Sequence, residues 1–263
     1  MYYHKWMKCA GLPKWVLFLT ALSLAPPVGA QDTDPAVTAP GDESSSKRPP
    51  AVEFEPARFD WGGASQQSFL FLTVQHGLRI TQKKTRQEFG GAFFGDWARS
   101  VRGVGGWNDG DSIFTNYIAH PMQGGVSGFI QIQNDPRGRN LELGKDRAYW
   151  NSRLRALGWA AIYSTQFELG PYSESAIGNV GKKKGTGGLV DLVVTPTGGL
   201  GAIVAEDWLD RFVVRKLEER AGSRGKARFY RVVFNPQRGF ANLLRGKVPW
   251  HRDTRPLPER KEP

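Results

Sequence analysis

Two stretches of this chain carry side chains able to move protons, and they share one pattern. In the first, Asn116 and His120 stand four residues apart, Pro121 follows at once, and Gly124 comes shortly after. In the second, Asp191 and Thr195 stand four apart, followed by Pro196 and Gly199. That spacing puts each pair on one face of a helix. An imidazole held near carboxylates is the equipment of general-base catalysis. Here His120 would take the proton, Asp191 or Glu168 would orient the ring, and Asn116 would polarise a carbonyl. His120, Asp191, Glu168 and Asn116 are therefore the candidate catalytic residues, and His76, Thr195 and Glu206 complete the candidate polar core. A purely structural reading competes with this. Once buried, these groups must satisfy one another and the carbonyls that two helical prolines leave unbonded.

Several chemistries find no support. The chain has no nucleophile elbow, no phosphate-binding glycine loop and no C-x-x-C pair. His76, His120 and a carboxylate offer zinc ligands in principle, but no H-E-x-x-H or comparable spacing accompanies them, so neither metal nor cofactor is expected. The one cysteine is Cys9, which excludes disulfides and thiolate sites from the rest of the chain.

The elements that must position these residues read as helices. Apolar residues at helical spacing predict helices over about 65–83 and 89–104. An uncharged helix follows from Ser112 to Asn134, with Asp109 or Asp111 at its start as a cap and Asn134-Asp-Pro-Arg-Gly138 at its end. Further helices are expected over about 145–169 and 188–219, with shorter segments to residue 245 and a lysine-bearing loop at 172–187. Strand signals are few. The predicted fold is mainly α, a bundle of about five or six helices in which two proline-kinked, glycine-rich helices lie at the centre. Three of its helices are nearly uncharged, and their Asn, Gln, Ser and Asp content favours burial inside the bundle over exposure to lipid.

Flanking segments suggest a compartment. Lys5, Lys8 and Lys14 precede the apolar run Trp15–Ala25, and small residues at Val28-Gly29-Ala30 offer a cleavage site, so residues 1–30 read as a secretory signal. Residues 31–58 read as a disordered Pro/Ser/acidic linker, 59–250 as the helical domain and 251–263 as a loose basic tail. The net charge of +11 is unevenly placed: residues 31–208 hold 18 basic against 19 acidic side chains, and residues 209–263 hold 15 against 6. For an exported protein, that excess points to anionic lipid or wall polymers contacted through residues 209–263, and nucleic acid is not expected. Arg238, Phe240, Arg245 and Trp250 are the candidate interface residues, mixing arginine with apolar side chains as a membrane interface does. The alternative is a docking segment that closes the bundle.

The run Asn116-Tyr-Ile-Ala-His-Pro-Met-Gln-Gly124, a later helix bearing Glu168, and Asp191-x-x-x-Thr-Pro-x-Gly-Gly199 together resemble a bacterial secreted family known only as a domain of unknown function. The likeness spans about residues 60–250, and the Asn-Tyr-x-x-His-Pro-x-x-Gly element is its most specific part. It implies an envelope location and a mainly helical fold, and it supplies no activity. The expectation is thus an exported helical envelope protein that associates with lipid or wall polymers. The competing expectation is an envelope hydrolase or transferase built on the His/Asp/Glu cluster.

Overall fold

In the computed structural model, residues 58–81, 93–176 and 188–258 are described. The expected signal, nearly all of the expected linker, the lysines at 182–184 and the last five residues lie outside them. The described chain is mainly helical, a helical bundle, with no strand among the described residues. The helices are α1 (Trp61–Ile80), α2 (Phe93–Arg102), α3 (His120–Asn134), α4 (Arg147–Leu169), α5 (Val190–Leu209), α6 (Arg215–Glu219), α7 (Arg224–Phe234) and α8 (Pro236–Leu244). Two π-helical turns, Thr115–Ala119 and Asp210–Val214, run directly into α3 and α6.

Local chemistry explains several boundaries. The Asp60 carboxylate accepts from the Gly63 amide at 2.9 Å and caps α1. A side chain at Gly63 would put its Cβ 2.4 Å from Asp60 Oδ2 and 2.6 Å from Asn134 Oδ1. Ser112, not Asp109 or Asp111, caps the central helix, its hydroxyl accepting from the Thr115 amide at 3.1 Å. In the π turn that follows, the His120 amide reaches back to the Thr115 carbonyl. That wider turn relieves the clash an α turn would impose between the Pro121 ring and the carbonyl of Tyr117.

Helix α3 is the axis of the molecule. From Gln123 to Asn134 every residue is buried. Helix α5 crosses it so closely that a Cβ on Gly124 would sit 1.9 Å from the Thr195 carbonyl oxygen, and one on Gly199 would sit 2.5 Å from the Gly124 carbonyl carbon. Farther along, Gly128 admits the Ile203 side chain, whose Cδ1 lies 2.4 Å from where a Cβ would be. Helix α4 packs antiparallel to α5: Ser164 donates to the Asp191 carbonyl at 3.0 Å, and Tyr149 donates to the Asp207 carboxylate at 2.8 Å. The apolar core gathers Phe71, Phe129, Ile130, Tyr163, Phe167, Ile203 and Phe240 around these crossings.

The C-terminal segment departs from the expected loose tail over its described part. Arg252 is buried, donating to Asp210 at 3.1 Å, and Arg255 donates to Asp210 at 2.7 Å and to Glu218 at 3.0 Å. The expected interface residues are likewise drawn inward. Phe240 packs edge-on against Phe71 with ring centroids 5.5 Å apart, Arg238 pairs with Asp207, and Arg245 pairs with Asp253 at 2.8 Å. Trp250 lies under the Arg228 guanidinium at 4.9 Å. The physical reason is charge pairing. The carboxylates of α5, its π turn and α6 require buried cations, and the arginines that look like a basic surface in sequence supply them.

Candidate functional site

The α3–α5 crossing brings the two sequence patterns face to face. His120 Nδ1 lies 3.2 Å from the Thr195 hydroxyl, and His120 Nε2 lies 3.6 Å from Asp191 Oδ1. Glu168, on α4, completes the group: one ligating atom each from His120, Glu168 and Asp191 all fall within 4.8 Å of one another. All three are buried, at 3 %, 5 % and 4 % exposure, so they sit inside the bundle and not in an open cleft.

Asn116 faces a partner the sequence reading assigned to capping. Its amide donates to Asp109 at 2.8 Å, and Asp109 in turn hydrogen-bonds the Asp191 side chain. Two carboxyls in hydrogen-bond contact share a proton. Burial, then the hydrogen bond to Asp109, push Asp191 up to about 8. Burial also drives Glu168 well up, with Asp191 and Glu174 adding repulsion. Asp109 is held low by hydrogen bonds that outweigh its desolvation. Burial lowers His120 to about 4, so at neutral pH its ring is neutral.

His76 belongs to an adjoining group. Its ring stacks on Phe167 at 5.1 Å, and His120 meets the same phenyl ring edge-on at 6.4 Å. His76 Nε2 lies 3.2 Å from the Tyr172 carbonyl, and Nδ1 lies 3.8 Å from a Glu174 oxygen that Arg79 contacts at 3.0 Å. Burial is the main cause of the lowered His76 pKa. His76 therefore does not join His120 as a ligand pair. Glu206 stands apart altogether, about 22 Å along α5 from Asp191 at 1.5 Å per residue. Its two oxygens accept from the Gln237 and Arg238 amides at 2.8 and 3.1 Å, capping α8 from a neighbouring helix.

Sequence reasoning thus found His120, Asn116, Glu168, Asp191 and Thr195, which the fold gathers. It missed Asp109, Arg79 and Glu174. Asp109 sits in a glycine-rich turn, and Arg79 reads as an ordinary cation at a helix C-terminus. No spacing rule links Asp109 to Asp191, 82 positions on, or Arg79 to Glu174, 95 positions on. No family model, curated protein or solved structure matches the chain.

Proposed function

We propose that the protein is an exported envelope component that lies against a lipid surface through the outer faces of α4 and α5. One observation carries this reading: every ionisable residue of α5 is turned inward. Asp191, Glu206 and Asp207 are buried, while Leu189 just before the helix and Val193, Thr197, Gly201, Ala205 and Trp208 within it are exposed. These exposed positions recur every three or four residues and form one uncharged stripe about 29 Å long. On α4, Leu154 and Ile162 are exposed at 54 % and 69 %. Aromatic residues bracket the stripe, with Trp150, Trp208 and Phe212 toward one end and Trp107 and Tyr117 toward the other. Trp and Tyr favour the level of lipid head groups, whereas a large apolar patch left in water is unfavourable. Among the described residues no helix is long and apolar enough to cross a membrane, so the proposed contact is one-sided.

The basic C-terminal region contributes less to this contact than its composition suggests, because Arg231, Arg238, Arg252 and Arg255 are engaged with Glu218, Asp207 and Asp210. Burial of His120, Glu168 and Asp191 weighs against the hydrolase alternative, which requires substrate access. The test is flotation of the purified protein with phosphatidylcholine vesicles, with and without anionic lipid. Wild type is expected to float with both, and the Val193→Glu/Ile162→Glu double variant to lose at least about tenfold in partitioning, since a charge in hydrocarbon costs about 2.5–3.5 kcal/mol. Failure of folded wild type to float, with a dimer that the same double variant dissociates, would assign the face to a second copy of the chain instead.

A further inference from the structure

We propose that His120, Glu168 and Asp191 form a binding site for one divalent first-row transition ion, of the zinc or manganese class. Three helices each contribute one donor: α3 the imidazole, α4 and α5 a carboxylate apiece. The donors lie within 4.8 Å of one another, whereas donors about 2.1 Å from a shared ion stand roughly 3.4 Å apart. On binding, side-chain rotations would have to close that difference. The orientation of His120 suits a ligand. In the tautomer whose Nδ1–H donates to the Thr195 hydroxyl, 3.2 Å away, the lone pair of Nε2 faces Asp191 Oδ1 at 3.6 Å. Fixing one ring nitrogen with a hydrogen bond so that the other can coordinate is the usual arrangement around a metal.

A second observation points to an occupant. Asp191 Oδ1 is fully buried and has no hydrogen-bond partner among the described residues, although it faces Nε2 at 3.6 Å. With Asp191 ionised and Nδ1 carrying the ring proton, both groups would accept and neither could satisfy the other, whereas a cation between them would satisfy both. The surroundings agree in sign. Asp109, Asp111 and Glu174 add negative charge around the three donors, against Arg79, which is itself paired with Glu174. Asp109, itself bonded by the Asn116 amide, hydrogen-bonds the Asp191 side chain, as outer-shell partners do a ligating carboxylate. One imidazole and two carboxylates, with no sulfur, select against soft ions such as Cu(I) and suit zinc, manganese or ferrous iron.

Equilibrium dialysis of chelator-stripped protein against Zn2+ and Mn2+ tests the site. The expected result is one equivalent bound by at least one of these ions, with a rise in Tm of several degrees. Glu168→Gln and Asp191→Asn should each weaken binding at least tenfold while circular dichroism stays helical, and Asp253→Asn, which alters the separate His251–Asp253 pair, should leave it unchanged. Absence of saturable binding by folded wild type for both ions overturns the proposal, as does binding that persists in the Glu168→Gln/Asp191→Asn double variant. If those variants do not fold, X-ray absorption on Co2+-loaded wild type decides. A shell with one imidazole among oxygen donors supports the site, and a shell without imidazole overturns it.

Discussion

Asp191 is the residue on which the polar centre turns, and its protonation has a measurable consequence. Its folded pKa of about 8 lies far above the ordinary carboxyl value of 3.8, through burial and its contact with Asp109. Between those pH values the native state holds a proton that the unfolded chain releases. The stabilisation is complete at low pH and is lost as pH rises toward 8. His120 works in the opposite sense over a lower window. Lowered from 6.5 to about 4, it leaves the native state short of a proton that the unfolded chain binds, so stability falls as pH drops from 6.5 to 4. Urea unfolding of chelator-treated wild type and Asp191→Asn separates the two. The difference is expected to move in favour of the variant between pH 5 and 8, by up to about 1.4 kcal/mol per pH unit. A difference independent of pH would show that the carboxyl is ionised throughout.

At the level of elements, the crossing of α3 and α5 is set by glycine and the register of α8 by a borrowed cap. Adding one methyl at Gly124 forces it against the Thr195 carbonyl, a backbone atom that cannot swing away. Gly124→Ala is expected to destabilise by about 3 kcal/mol and to separate His120 from Asp191, whereas Gly201→Ala, with open space around it, should be neutral or slightly stabilising. Chemical denaturation of the pair reads the contrast directly. Glu206→Gln tests the cap: the amide keeps one accepting oxygen where the carboxylate presents one to each of the Gln237 and Arg238 amides, so α8 should lose about 1–2 kcal/mol. Hydrogen exchange should show that loss first in residues 237–244. Equal exchange in variant and wild type would mean that packing of Phe240 and Ala241 alone holds the helix.

Across the whole molecule, buried ion pairs bind the last third of the chain to the middle. Asp207 receives Tyr149, Arg153 and Arg238, with Arg153 itself 1 % exposed. Asp207→Ala leaves the buried Arg153 guanidinium and the half-buried Arg238 without their carboxylate and is expected to lower stability by about 3–5 kcal/mol in thermal or urea unfolding. The helical class, the position of α3 and the meeting of His120 with Asp191 were legible in sequence, because four-residue spacing and paired proline–glycine signals are local. The fate of the arginines was not. Arg238 and Arg252 look alike as surface cations or buried partners, and only the fold decides which carboxylates they reach. Glu206 misled for the same reason, since a capping role depends on a helix thirty residues later.

The pairing of Asp210 with Arg252 and Arg255 also bears on synthesis. Until Arg252 and Arg255 have left the ribosome, a nascent chain carries Asp210 without these two partners, so this joint of the bundle closes only once they emerge. A stop at residue 248 should therefore yield a product that proteases degrade rapidly, and one at residue 258 should yield a resistant one.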